Sequence, residues 1–257
     1  MIKHRAKKSL GQNFLKSESA LRSIVEAGEI SPKDIILEIG PGKGALTKQL
    51  LATSCQLIAV EKDHNLYKLL KNKFEKEILS GQLNLINGDI LEFNPLTYKL
   101  KAVSYRLIAN IPYNITGAIL KKFLTNENQP KMMVLMVQNE VAKRIIGRGK
   151  NPSTPLRVKE SILSVSVKAY GEPKMIMKVP ARYFSPVPKV DSAVIAIKNI
   201  SRKIFTKNKI NEEKFWEIVH AGFAHKRKKL SNNLKNVIKH IPEKWKDKRA
   251  EDLKMED

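Results

Sequence analysis

Cysteine is nearly absent. One residue, Cys55, stands in 257, which excludes an internal disulfide and a thiolate metal cluster and fits a reducing cytosol. No apolar stretch is long enough to span a bilayer, and no basic amphipathic helix stands out as a surface anchor. Neither a membrane nor a metal is therefore an expected partner. The basic start, Lys3-His4-Arg5-Ala6-Lys7-Lys8, is not followed by an apolar signal core. A mitochondrial transit segment would be longer and richer in arginine and serine, so the run is expected to belong to the working protein, in the cytoplasm. Internal repeats and low-complexity tracts are missing too.

Acidic residues are scarce against basic ones: 25 Asp and Glu face 48 Lys and Arg, a net charge of +23. A field of that sign favours a polyanion, most simply a nucleic acid. A lysine-rich background would raise the total but not cluster it near the ends and in the C-terminal third. With 42% hydrophobic residues the chain can bury an ordinary core, and its length suits one large domain plus a small appendage.

Residues 35–39, 56–60, 83–87, 105–109 and 132–137 read as strands, and the continuous apolarity of 35–39 predicts one buried on both faces, as in a parallel sheet. Helical patterns fall between them. Ser17 or Ser19 caps a helix to about residue 27, another follows the glycines through Leu46, Leu50 and Leu51, and more cover residues 64–77, 117–124 and 140–146. The alternation predicts a doubly wound α/β sheet. Residues 147–155 are polar with glycine and prolines, which predicts a mobile loop. Residues 162–169 and 173–179 read as strands or strand-like segments, and 193–197 as a closing strand. After about Ser201 helical patterns dominate, at residues 212–223 and 230–238. The expected domains are 1–200, carrying the sheet, and 201–257, small, basic and all-α.

Open α/β sheets bind ligands outside the carboxyl ends of their strands, near the reversal of strand order. Four such ends carry polar or glycine signals: Gly40-Pro41-Gly42-Lys43-Gly44, Glu61, Asp89 and Asn110. Glycines let backbone approach a ligand closely. Glu61 is placed to bind ribose hydroxyls, and Asp89 could accept from an adenine amine. Gly40-x-Gly42-x-x-Ala45 also satisfies the dinucleotide fingerprint, so a nicotinamide enzyme must be weighed. Glu38, just before the glycines, would crowd a pyrophosphate and better suits a cationic tail, a sulfonium, or a role in holding the loop. Asn110-Ile111-Pro112-Tyr113 offers an amide, a carbonyl with no ladder partner and an aromatic face, which suit a planar base with an exocyclic amine. It also reads as a strand-ending turn around a structural proline.

Taken in order, Glu38-Ile39-Gly40-Pro41-Gly42-Lys43-Gly44-Ala45-Leu46-Thr47, Glu61, Gly88-Asp89 and Asn110-Ile111-Pro112-Tyr113 resemble the motifs of S-adenosylmethionine-dependent adenine N6-methyltransferases. Gly11-Gln12-Asn13-Phe14-Leu15 narrows the resemblance to the ribosomal RNA adenine dimethyltransferases. The run from Phe184 through Pro186, Pro188 and Asp191 to Ala193 agrees, as does Ala221-Gly222-Phe223-Ala224-His225-Lys226-Arg227-Lys228-Lys229-Leu230. The resemblance covers nearly the whole chain. Around residues 151–157 the sequence departs from the family's Tyr-Gly-Arg-Leu-Ser-like run, with Glu160-Ser161-Ile162-Leu163-Ser164 its nearest remnant. It also stops soon after Leu253, where relatives continue slightly, consistent with a shortened terminus.

The resemblance implies a Rossmann-like S-adenosylmethionine-dependent methyltransferase sheet with a small C-terminal all-α domain. It implies a donor pocket lined by Asn13, Leu15, Glu38, Gly40, Gly42, Glu61, Asp89 and Asn110. Asn110 and the Pro112 carbonyl (or that of Ile111) would take the amine protons, Tyr113 would stack on the base, and Phe184 would cover its other face. RNA contacts are expected from the basic start, from Lys143, Arg144, Arg148 and Lys150, and from Lys226, Arg227, Lys228 and Lys229. The implied reaction dimethylates two adjacent adenosines in the 3′-terminal hairpin of 16S RNA in an immature small subunit, with a monomeric enzyme. A large-subunit methyltransferase of the macrolide-resistance type and a non-catalytic RNA-binding assembly factor are the alternatives. Gly11 before Gln-Asn-Phe and the basic tail favour the small-subunit dimethyltransferase over the macrolide-resistance type.

Overall fold

The computed structural model describes residues 6–7, 10–102, 104–147 and 159–253. A short extended piece, β1 (Phe14–Leu15), leads into α1 (Glu18–Ala27). The Ser17 hydroxyl accepts from the Ala20 amide at 3.3 Å and closes the first turn of that helix. Strands and helices then alternate: β2 (Ile35–Ile39), α2 (Ala45–Leu51), β3 (Gln56–Glu61), α3 (His64–Lys73), α4 (Glu75–Leu79), β4 (Leu83–Asn87), β5 (Tyr105–Asn110), α5 (Thr116–Leu124), β6 (Met132–Gln138) and α6 (Asn139–Ile146). After α7 (Ile162–Lys168) come β7 (Glu172–Val179), β8 (Phe184–Ser185) and β9 (Ser192–Lys198). Helices α8 (Lys203–Lys207), α9 (Glu212–Phe223), α10 (Leu230–Leu234) and α11 (Glu243–Lys246) follow.

The seven-stranded sheet has the order β4-β3-β2-β5-β6-β9-β7. β2 lies between β3 and β5, parallel to both, with Leu37 opposite Ile58 on one side and Leu107 on the other. β9 runs antiparallel to β6. This is the α/β architecture that the apolar runs predict. Residues 36–39, 105–109 and 132–137 are buried, which explains why their apolar character does not alternate. Truncating a central side chain such as Leu107, fully buried here, costs about 2–5 kcal/mol by the usual cavity effect. The strand order reverses between β2 and β5, so the carboxyl ends of these two strands flank the crevice where such sheets take ligands.

Three local expectations are corrected. The helix expected over 64–77 breaks at Phe74, whose φ of −115° and ψ of 31° leave the helical region. Phe74 is buried, and its ring lies where a Cβ on Gly44 would come within 2.5 Å; the kink turns that ring under the glycine loop. Residues 162–168 form a helix rather than a strand, because Ser161 and Ser164 cap each other's backbone amides. The last predicted helix is shorter than expected, Leu230–Leu234. Among the described residues no strand follows β9.

The chain divides into two compact units, residues 1–142 with 174–200, and residues 143–173 with 201–257. Expected domains of 1–200 and 201–257 differ from this in the placing of 143–173. Tyr170 shows why that segment joins the second unit. Its hydroxyl donates to Glu212 Oε1 at 2.5 Å and accepts from Trp216 Nε1 at 3.1 Å, with the two rings stacked 6.2 Å apart. Burial, together with the Glu212 carboxylate, pushes the Tyr170 phenol well up. Within the same unit Leu230, Leu234 and Ile241 form a small core joined by Ile218, Ile238 and Trp245.

Candidate active site

A cavity of about 460 Å³ opens at the carboxyl ends of the strands. That is within the range of small-ligand sites, about 300–1,000 Å³. β2 runs directly into its glycine floor. Gly40 keeps one more sheet bond, its amide donating to the Val60 carbonyl at 2.9 Å, and then turns at φ +62°. A Cβ there would meet nothing within 4 Å, so a side chain at Gly40 would project into free volume. Gly42, also at φ +62°, lies 3.1 Å from the Phe14 ring by the same measure, and Lys43 Nζ sits over that ring at 4.7 Å from its centroid.

Carboxylates surround this floor, each engaged differently. Glu61, at the end of β3 and nearly buried, accepts from the Gly42 amide through Oε2 at 3.0 Å and from the Asp63 amide through Oε1 at 2.8 Å. Asp89, past β4, accepts from the Leu91 amide at 2.9 Å and from Lys62 Nζ at 2.6 Å. The Lys62 ammonium, with the Leu91 amide, holds the Asp89 carboxyl below its ordinary value. Glu38 is buried on β2 and accepts from Thr47 Oγ1 at 2.8 Å. Burial first, and Glu61 beside it, push its carboxyl up to about 8, as an ion removed from water and facing a like charge requires.

The opposite wall is the end of β5. Asn110 Nδ2 donates to the Asn13 carbonyl at 3.3 Å, which fixes the plane of the amide. Its Oδ1 accepts no hydrogen bond among the described residues. The Pro112 carbonyl takes a long bond, 3.3 Å, from the Ile115 amide as the turn Tyr113–Ile115 begins. A carbonyl has a second lone pair, so this leaves one acceptor direction. The Tyr113 hydroxyl lies 2.7 Å from that of Ser192, which anchors the ring by its polar end.

Asn13, Leu15, Glu38, Gly40, Gly42, Glu61, Asp89, Asn110, Pro112 and Tyr113 all line this one cavity. Phe184 does not. It is fully buried in the core, paired across β8 and β1 with Leu15, and Ser185 lines the cavity instead. The second wall expected of its ring is therefore not formed by it; an apolar ring on the inward side of a strand pair is held by the core. Leu15 is itself mostly buried among core residues and reaches the cavity from its edge. Sequence reasoning gave no role to Thr47, Lys62, Asp63 and Ser192, which anchor the named residues. Asp63 alone carried a local signal, as an acid directly before a helix. Among the described residues no cluster of His, Cys, Asp or Glu could hold a metal, and no helix is long and apolar enough to cross a membrane.

In the other unit, Arg144 is exposed on α6, and Lys226, Arg227, Lys228 and Lys229 are exposed between α9 and α10. Lys229 pairs with Asp247 at 2.7 Å. Arg148 and Lys150, with most of the expected loop 147–155 and of the basic start, lie outside the described residues.

The family described as ribosomal RNA adenine dimethylase matches residues 3–256. A "Ribosomal RNA small subunit methyltransferase A" of Dehalococcoides mccartyi (strain CBDB1) is 39% identical over 230 residues, 90% of this chain and 75% of that protein. The protein of the same name from Francisella tularensis subsp. tularensis (strain FSC 198) is 38% identical over 238 residues, 92% of this chain and 86% of its own length. Among solved structures, a dimethyladenosine transferase from Plasmodium falciparum superposes with a TM-score of 0.74 at 23% identity, covering 95% of this chain and 94% of that one. The 23S rRNA methyltransferase ErmE gives 0.68 at 26% identity, covering 86% and 83%.

Proposed function

The chain belongs to the ribosomal RNA adenine dimethylase family and is an S-adenosylmethionine-dependent rRNA adenine dimethyltransferase; from that premise we propose that it dimethylates two adjacent adenosines in the 3′-terminal hairpin of 16S RNA within an immature small subunit. It works as a cytoplasmic monomer. The observation that carries the assignment is the meeting of two walls on one cavity, the glycine floor with Glu61 and Asp89, and the Asn110-to-Tyr113 turn. Small-subunit specificity follows the relatives of that name, 38–39% identical over nine-tenths of this chain, against 26% for the large-subunit enzyme.

When bound, S-adenosylmethionine supplies a methyl on its sulfonium, the S–C bond breaking as the N–C bond forms. Glu61 holds the ribose hydroxyls while it positions the Gly42 amide. Asp89 accepts from the adenine amine of the donor. Glu38, close to neutral until a cation approaches, faces the amino acid end. An exocyclic amine is a poor nucleophile because its lone pair is delocalised into the ring. Asn110 Oδ1 and the open lone pair of the Pro112 carbonyl accept hydrogen bonds from its N–H groups and draw the lone pair out of conjugation. The proton left on nitrogen after each transfer passes to solvent. The Tyr113 ring stacks on the extruded base. Orientation and fixed dipoles do this work, so no strong base is needed. The cations at 226–229 and Arg144 hold phosphates and supply affinity without sequence choice.

The test offers labelled donor and purified protein with immature small subunits, large-subunit RNA or free adenosine. Dimethyladenosine is expected only in the small-subunit RNA; label confined to the large-subunit RNA would overturn the substrate assignment.

A further inference from the structure

The N-terminal segment forms one side of the cavity, with Gly11, Gln12, Asn13 and Phe14 all lining it. Its downstream end is secured by the β1–β8 pairing and by the Asn110 bond to Asn13. Its upstream end is secured by a different device, centred on a residue that does not line the cavity. Asp63, whose side chain is fully buried, accepts from Gln12 Nε2 through Oδ2 at 3.0 Å and from Lys7 Nζ through Oδ1 at 3.1 Å. The Gln12 Oε1 in turn accepts from the Lys7 backbone amide at 2.8 Å. The same Asp63 caps α3 through the Asn65 amide at 3.0 Å, and its own amide donates to Glu61 at 2.8 Å. One carboxylate thus joins the N-terminal segment, the start of a helix and the acid beneath the glycine floor.

We infer that Asp63 is a positioning residue of the donor site: it latches Lys7 and Gln12 against the strand ends and so makes the segment from Gly11 to Phe14 a fixed wall of the cavity. Buried carboxylates persist only where hydrogen bonds and an opposite charge compensate their lost hydration. Here three of those compensating groups, the Lys7 ammonium, the Gln12 amide and the Asn65 amide, come from two separate parts of the chain. With the segment latched, its cavity-lining backbone needs no ordering when the donor binds, so less entropy is lost on binding. Without the latch, each binding event must order that wall. The donor half of this inference rests on the cofactor reading above.

The hydrogen-bond polarity supplies a reciprocal test. In Asp63→Asn one acceptor becomes a donor that faces the Gln12 amide nitrogen; turning the Gln12 amide over only moves the conflict to the Lys7 amide. Gln12→Glu places two carboxylates face to face. The exchanged pair, Asp63→Asn with Gln12→Glu, restores a donor opposite each acceptor and keeps a carboxylate for Lys7. Each single variant is expected to weaken S-adenosylmethionine binding about tenfold by calorimetry, the scale of losing a hydrogen bond to a charged group. Each should also speed tryptic cleavage at Lys7 and Lys16 in donor-free protein, measured by mass spectrometry. The exchanged pair should return both readouts to within about threefold of wild type. A capping or general folding role would not be rescued by moving the carboxylate to position 12. Singles that bind and resist trypsin like wild type, or an exchanged pair as impaired as the two singles combined, would overturn the latch. Wild-type protein with no affinity for the donor would overturn the cofactor reading, and with it the affinity half of the latch. The trypsin arm judges the anchoring in either case.

Discussion

The cavity at the strand ends and the basic turn at residues 226–229 show two ways of using charge. In the cavity each acid is engaged by the protein itself, Glu61 by two backbone amides, Asp89 by Lys62 and Glu38 by Thr47. Behind it Asp63 is held by Lys7 and Gln12. At the turn four cations stand exposed, and among the described residues Lys226, Arg227 and Lys228 take part in no ion pair. Engaged, buried groups have fixed positions and are little screened by salt, which suits orienting a donor and an amine. Exposed cations have little positional precision but a long-range field, which suits a phosphate backbone. The contrast predicts that changes in the cavity act through geometry and changes at the turn through ionic strength.

Asn110→Ala should break the geometric side most severely. Turnover is expected to fall by about a hundred- to a thousandfold, as when one preorganised transition-state hydrogen bond is removed. Donor affinity should fall far less, by about tenfold, because the bond to the Asn13 carbonyl is lost as well. Single-turnover assays beside calorimetry give both numbers; turnover close to wild type would remove Asn110 from amine activation. Gly40→Leu should do the converse. Its side chain enters free volume, so donor binding is expected to fall by about a hundredfold. The φ of +62° adds a stability cost of about 1–2 kcal/mol, read from denaturant unfolding.

The turn should respond more weakly and in another manner. Lys226→Glu with Arg227→Glu is expected to weaken RNA binding about tenfold at low salt and to reduce the slope of log affinity against log salt by about two. Turnover at saturating RNA should be kept. A loss of affinity equal at all salt concentrations would erase the proposed contrast. Smallest is the effect of Glu38→Gln. The folded carboxyl titrates at about 8 against an ordinary 4.5. Between these values the folded protein keeps a proton that the unfolded chain has released, so wild-type stability declines as pH rises from about 4.5 towards about 8. The difference between variant and wild type is expected to vanish near pH 4 and to grow in the variant's favour as pH rises towards about 8. An equal difference at both pH values would remove Glu38 as its source.

Four residues lining the cavity were legible because each sits at or just past the end of a strand that its own run announces, whereas Asn13 and Leu15 were given only by the family resemblance. Gly40, Glu61, Asp89 and Asn110 need only the rule that parallel strands deliver their carboxyl ends to one edge. Phe184 was misread because an aromatic beside prolines looks the same whether it faces a cavity or the core. Its pairing with Leu15, about 170 residues earlier in the chain, has no local trace. The helix at Ile162–Lys168 was misread because a short apolar segment fits either period, and its capping serines decide the matter.

Sequence alone determined the order and type of the sheet elements, the basic character of the tail and the residue types available for chemistry, since periodicity, glycine placement and charge are local properties. Tertiary structure decided which of those residues act together. It placed the Asn110 amide on the Asn13 carbonyl, drew the Pro112 carbonyl partly into a turn, took Phe184 into the core and gave Asp63 its partners Lys7 and Gln12. Apart from the Pro112 turn, these pairings join residues tens to more than a hundred positions apart. They arise only when the closing of the sheet offsets the entropy of bringing such distant segments together.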